Sequence, residues 1–385
     1  MRKKVEKITI TEIKVLVFLF FIGISGVMSL KQLMDYYVYD ENPSSEWAPQ
    51  MGDKLEADYS SVFWGKMQYV NLNGLCRSLL NQHEMNGITK LNNGWLASVV
   101  SDNNTDIVIQ NAQNVGELNH YLEENNIQLL YVIAPDTVSK YDNQLPKGVQ
   151  DYTNEKLDVF VEELEAEEVN YIDLREEMYA DGIDQYEFFY KTDHHWNVRG
   201  GLYAASKIIE SAEKMLRIDI DDGITDINNY HVENYSQWHL GSRGQRVGRY
   251  FAGIDDFEIM YPKFMTEIVR TSDDTEGSFQ EIFISYDALH NKNYASRYTY
   301  DKTYRYSIES DFLNKNASGK KNVIVLSDSM GRVVTPYLSL GFTEVDALGY
   351  ETITQQLIEE KQPDFMIILL HPMNVFKSDY FEFDI

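Results

Sequence analysis

The chain of 385 residues carries 61 Asp and Glu against 34 Lys and Arg, a formal net charge of -27. Such a balance repels a polyanion and no basic stripe offsets it, which argues against nucleic-acid binding; a well-solvated acidic surface accounts for the excess. Hydrophobic residues make up 43% of the chain, ample for one large core. The lone cysteine, Cys76, excludes a disulfide framework and a thiolate zinc site, and with no motif around it is expected to be buried filler.

Arg2, Lys3, Lys4 and Lys7 precede an apolar run from Val15 to Leu30. A basic start followed by such a run is an export signal whose positive end stays in the cytoplasm. The run is a few residues short of the roughly 20 that span a bilayer comfortably. It also lacks a clean cleavage site, Val27-Met28-Ser29 being only a passable match. An uncleaved anchor is therefore expected over a cleaved signal peptide, with the rest of the chain outside the cytoplasm. This divides the chain into a cytoplasmic start and signal-anchor helix (1–32), a polar, Tyr-rich stalk (33–58) and one large domain (59–385).

Within that domain Gln128–Ala134 reads as a buried strand, Leu157, Phe160, Val161 and Leu164 recur at helical spacing, and Tyr171–Leu174 is a short strand end. Residues 220–318 break the rhythm and read as a β-rich insertion, with short runs such as Glu281–Ser285. A strand over Asn322–Leu326, a helix around Arg332–Leu340, a strand over Thr343–Leu348, a helix around Thr352–Lys361 and a strand over Phe365–Leu370 follow. Apolar strands alternating with amphipathic helices predict a mostly parallel sheet covered on both faces, with reactive groups beyond the carboxyl ends of its strands.

Two segments hold chemistry. Ser329, in VIVLSDSMGR, falls between a strand and a helix. A serine there can project its hydroxyl above the sheet while helix-start amides face a developing oxyanion; Gly331 frees the turn. A capping role for Asp328 or Ser329 explains the same spacing equally well. The second segment is KTDHHWNVRGG, residues 191–201. A serine needs a base, and the base an orienting carboxylate. In an extended segment Asp193 and His195 share one side and His194 faces elsewhere, while Asn197 suits the N-cap of the following helix. Trp196 is assigned to core packing. Asp193, His194 and His195 are also metal-ligand types, but adjacent side chains diverge and further ligands would have to come from distant histidines. His371, after the last strand, is a competing base without a suitably spaced acid.

TDHHWN before a glycine-containing helix start, with a late Asp-Ser turn, resembles the bacterial DHHW proteins, which are similar to the SGNH-hydrolase-like subunits of alginate and related polysaccharide O-acetyltransferases. Asn92–Leu96, YVIAPDTVSKYDNQLP, VNYIDLREEM and HLGSRGQRVGRYFAGIDDFEIMYPKF extend the resemblance over roughly residues 60–385. It implies a three-layer α/β/α SGNH-like fold in permuted order, with Asp193 as orienting carboxylate, His195 as general base and Ser329 as nucleophile. Ser327 stands where the family's Gly-Asp-Ser has glycine. The Ser329 amide is one oxyanion donor, Gly331 and Arg332 are supporting candidates, and Arg332 is expected to pair with an acid. Neither cofactor nor metal is implied. The resemblance further implies O-acetyl transfer to a cell-surface polysaccharide, with a membrane-bound O-acyltransferase as donor partner. A carbohydrate O-acetylesterase with the same triad and a non-catalytic carbohydrate-binding surface protein are the alternatives.

Overall fold

The computed structural model describes residues 9–39, 63–290, 292, 294, 299–305, 309–349, 353–378, 380, 381 and 383. The chain divides between residues 73 and 74 into two units. In the first, helix α1 (Ile10–Tyr39) is long and apolar enough to cross a membrane over Ile10–Asp35. It exceeds the apolar run at both ends, because Lys31, Gln32 and Asp35 continue it without a breaker, and so takes in the first residues assigned to the stalk. Residues 40–58 of that stalk lie outside the described residues. Most side chains of α1 are exposed; Ser25 and Ser29 are buried, with Ser25 Oγ 2.7 Å from Tyr69 Oη and Ser29 Oγ accepting the Trp64 N–H at 3.0 Å. Helix α2 (Lys66–Leu79) follows and buries only Gly74. Cys76 is consequently exposed on it, contrary to the expectation of buried filler.

The second unit opens with a small antiparallel sheet of β1 (Glu84–Met85), β2 (Ile88–Lys90) and β3 (Leu96–Ala97). Helix α3 (Asp106–Glu124), β4 (Gln128–Ile133), α4 (Thr153–Ala166), β5 (Tyr171–Asp173) and α5 (Val198–Leu216) come next. The stretch read as an insertion supplies β6 (Tyr230–His239), β7 (Asp255–Pro262), β8 (Ile268–Arg270), β9 (Thr275–Gly277) and β10 (Ser310–Leu313), with short helices between them. The chain then gives β11 (Gly319–Ser327), α6 (Thr335–Gly341), β12 (Phe342–Leu348), α7 (Gln355–Lys361) and β13 (Phe365–Leu370).

The central sheet has the order β5-β4-β13-β11-β12-β10-β8-β9. Its first five strands pair in parallel, and β10, β8 and β9 extend one edge antiparallel. Alternation sorts its side chains into two cores. Leu130, Val132, Val325, Ile367 and Leu369 pack on the face covered by α5 and α6; Leu129, Tyr131, Ile324, Ile368 and Leu370 pack on the face covered by α3 and α4. This is the SGNH-like three-layer arrangement, and it explains why β13 reads as six consecutive apolar residues. β6 and β7 form a separate two-stranded ribbon.

The run Glu281–Ser285 is not a strand. Residues Phe279–Phe283 are helical because Ser278 and Glu281 form a reciprocal capping box, and apolar Phe279, Ile282 and Phe283 then face the core at helical spacing.

Candidate active site

Parallel pairing of β11 with β13 brings Ser327 opposite Leu369, so Ser329 and His371 emerge side by side at the carboxyl edge. Asp328 organises this edge. Its Oδ1 caps the turn by accepting the Met330 N–H at 2.8 Å; its Oδ2 accepts the His371 N–H at 2.7 Å and Asn374 Nδ2 at 2.6 Å. The capping reading therefore holds for Asp328, while Ser329 opens a 3-10 turn (Ser329–Val333) with its hydroxyl free of that task.

The Asp193–His195 segment lies in a bent loop between Phe189 and Trp196, which bridge each other. The buried Asp255 carboxylate takes the amides of Lys191 and Thr192 at 3.0 and 2.8 Å. At the far end Asn197 caps α5 through the amides of Arg199 and Gly200. Trp196, fully buried, donates from Nε1 to Met330 O at 3.0 Å and so ties this loop to the serine turn. A Cβ on Gly201 would come within 2.1 Å of Val333 O, so glycine alone lets α5 approach that turn this closely.

These supports bring together two groups that are 134 positions apart: His195 Nε2 lies 2.7 Å from Ser329 Oγ. His195 Nδ1 lies 3.2 Å from Asp193 Oδ1. With Nδ1–H donating to the carboxylate, Nε2 is left as acceptor for the serine proton. Ser329 is half-buried and thus reachable. Burial, aided by the neighbouring His194, pushes the His195 pKa down, with Asp193 opposing. For Asp193 burial acts upward, but His195 and the hydrogen bonds from three histidines outweigh it, and the carboxyl is held well below its usual range. The pair is thus a neutral imidazole beside a carboxylate.

His194 does not face elsewhere. Because the segment bends instead of running extended, its ring lies tilted by 39° with its centroid 3.7 Å from that of His195, and the Tyr300 ring stacks on His195 at 4.3 Å. The ligand-type atoms of Asp193, His194 and His195 fall within 4.8 Å of one another. Both ring nitrogens of His195 are engaged with protein partners, as described above.

Several residues of the site were not found from sequence. His239 Nε2 donates to Asp193 Oδ2 at 2.9 Å and Ser242 Oγ donates to Oδ1 at 2.8 Å, so both carboxylate oxygens are held. Gly241 makes this possible, since a Cβ there would lie 2.4 Å from Asp193 Cβ. Buried Arg243 spans Leu96 O at 2.9 Å, Asp193 O at 3.3 Å and Asp136 Oδ1 at 3.1 Å. His239, Gly241, Ser242 and Arg243 all fall in the run HLGSRG, whose likeness to the family's glycine- and arginine-containing segment assigns them no role.

The supporting candidates sit as follows. The Gly331 amide donates to Asp328 O at 3.0 Å and is occupied within the turn, so it offers no oxyanion bond. Arg332 pairs with Asp301 at 3.2 Å and reaches Tyr304 O. His371 caps its own short helix, accepting the Met373 N–H at Nδ1, and burial pushes its pKa down to about 3. Its Nε2 lies 3.7 Å from Asp136 Oδ1.

Residues 92–223 match the family model for the SGNH hydrolase-like domain of the acetyltransferase AlgX. The chain is similar in structure to Bacillus cereus PatB1 solved with a sulfonyl adduct, at TM-score 0.62 and 20% identity, over 79% of this chain and 99% of that one. A DHHW family protein from Eubacterium siraeum aligns at TM-score 0.58 and 14% identity, over 77% of this chain and 94% of that one. The O-acetyltransferase domain of Pseudomonas putida AlgJ aligns at TM-score 0.46 and 12% identity, over 76% and 94%. No curated protein matches the chain in sequence.

Proposed function

Starting from an SGNH-like fold whose residues 92–223 match the model of the AlgX-type SGNH hydrolase-like domain, we propose that the chain is an extracytoplasmic O-acetyltransferase acting through an acyl-enzyme on Ser329. The observation that carries this reading is the unbroken relay from Ser329 Oγ through His195 to Asp193, at 2.7 and 3.2 Å. His195 takes the serine proton as Oγ attacks the acyl carbonyl, and the Ser329 amide faces the oxygen that gains charge. The same imidazole returns the proton to the leaving group, then deprotonates the acceptor hydroxyl that attacks the acyl-serine. Asp193 keeps the ring in the required tautomer and stabilises its cationic form.

A polysaccharide hydroxyl is the proposed acceptor and a membrane-bound O-acyltransferase the proposed acyl donor, as the resemblance of the TDHHWN segment and the late Asp-Ser turn to polysaccharide O-acetyltransferase subunits implies. A cleft of about 610 Å³ beside the Asp193–His195 loop, lined by Trp95, Lys191, Asn197, Arg199, Gln237 and Glu258, supports a hydroxyl-rich ligand. Its mix of one indole with amides and charges is suited to sugar. With α1 as anchor, the domain stands outside the cell.

The test is incubation with an activated acetyl ester, first alone and then with oligosaccharide. Acetyl mass on Ser329, lost in Ser329→Ala, together with acetylated sugar, is the expected result. Free acetate without acetylated sugar favours the esterase, whose relay is identical. No adduct on Ser329 favours a carbohydrate-binding role.

A further inference from the structure

The geometry points to a second sugar-binding subsite on the rings of Tyr141 and Tyr179, which grips an uncharged polysaccharide away from the reacting serine. This deepens the acceptor reading above and rests on it for the class of ligand, although none of its contacts belongs to the relay.

One loop serves both places. It leaves the carboxyl end of β4, and near its start Asp136 Oδ1 lies 3.7 Å from His371 at the active edge. Farther along the same loop, Tyr141 stacks on Tyr179 of the short helix Leu174–Ala180, with ring centroids 3.8 Å apart and planes within 15°. That helix follows β5. Since β4 and β5 run parallel to β13 and β11, loop and helix begin at the sheet edge that bears Ser329. The two rings are 46% and 61% exposed. Among the described residues Tyr179 stacks on no other ring, so its outer face is left to solvent. The pair is held in place: Tyr141 Oη donates to Glu176, and Lys140 Nζ bonds Glu176 at 2.7 Å and Asp158 at 2.8 Å. Ser139 Oγ accepts the Tyr141 and Asp142 amides at 3.4 Å. A platform fixed in this way loses little freedom when a ligand settles on it.

Shape and charge identify the occupant. A flat apolar ring edged by a carboxylate and an ammonium group suits a pyranose, whose C–H face lies on the ring while its hydroxyls reach Glu176 and Lys140. The loop, the helix and their ion-pair partners bring Asp142, Asp158, Glu176, Glu177 and Asp181. Against these stand Lys140, Arg175 and Lys207, each already paired with acids. The surplus of acids repels a uronate or phosphate polymer and leaves an uncharged chain of sugars. Tyr186 joins the platform to the cleft proposed for the acceptor. Its hydroxyl donates to Asp142 O at 2.8 Å, and its ring lies 5.4 Å from that of Trp95, with which it lines that cleft. A polymer that lies on both is held twice, so affinity must grow with chain length.

Calorimetry on the full chain carrying Ser329→Ala, in which no transfer occurs, tests the subsite with cello- and chito-oligosaccharides. The longer members of a series are expected to bind at least severalfold more tightly than its disaccharide. Tyr141→Ala with Tyr179→Ala should bring that ratio close to unity, the fold being checked by circular dichroism. Tyr179→Phe keeps the ring and should keep the ratio. With Ser329 restored, the two alanines should raise KM for the longer acceptors severalfold, with a smaller effect on kcat. A length advantage that survives loss of both rings would overturn the subsite, as would binding of neither series or equally tight binding of oligogalacturonate. A ring-dependent length advantage without any acetylated sugar would instead sink the acetyltransferase reading and leave the subsite standing.

Discussion

His195 packs against two rings, His194 at 3.7 Å and Tyr300 at 4.3 Å, in a pocket that leaves it almost no contact with water. Burial penalises its cation, so the neutral form needed to accept the serine proton persists to lower pH than in a free imidazole. The group loses activity when protonated, so the rate must fall as pH drops through the lowered pKa. The acid limb of kcat/KM is therefore expected below about 6.5; a limb above that value would contradict the assignment. Asp193 offers a second test. His239→Gln keeps bulk but displaces the donor on Oδ2, and Ser242→Ala removes the donor on Oδ1. Each change leaves a buried carboxylate oxygen short of a partner, costing about 1–3 kcal/mol. Acylation of Ser329 should slow by about 10–100-fold if that cost falls on the reacting geometry, with kcat lowered more than KM is raised. Rates equal to the unsubstituted chain would show that Asp193 needs neither.

At the scale of elements, the site is a joint between a bent loop, a strand edge and the end of the β6–β7 ribbon. Trp196→Phe tests the joint: it keeps an aromatic ring in the core but deletes the bond to Met330 O. A loss of about 1 kcal/mol of stability is expected, read by chemical denaturation, together with slower acylation. Unchanged acylation would show that the turn holds itself. How far these elements can be read beforehand varies with how local their causes are. β13 is buried on both faces, and its six apolar residues give its boundaries directly. Asn197 announces α5 because a cap acts within three residues. His239 and Ser242 reach Asp193 across 46 and 49 positions, through the pairing of β6 with β7 and the Gly241 contact, and no local pattern carries that information. His194 departs from the side that an extended backbone gives it because Asp255 holds the segment bent through the Lys191 and Thr192 amides. The run Glu281–Ser285 shows the reverse: its β-prone residues are overruled by a capping box whose Ser278 lies four positions before Ile282.

For the whole molecule, a net charge of -27 opposes compaction, because most of the excess acids repel one another across the surface. Salt screens that repulsion. The thermal midpoint should rise as ionic strength goes from about 0.01 to 0.1 M, where the Debye length shrinks from about 30 to 10 Å; a fall would mean that surface ion pairs such as Arg199–Glu258 outweigh the repulsion. The fold places a relay of three side chains at the carboxyl edge of a parallel sheet, on a chain that begins with a helix able to cross a membrane. The most direct measurement of its central claim is site-resolved labelling with a sulfonyl fluoride, in the unsubstituted chain and in His195→Ala. The account predicts one adduct, on Ser329, forming about 10²–10⁴ times more slowly without the imidazole. An adduct at another residue, or equal rates in the two proteins, would contradict it.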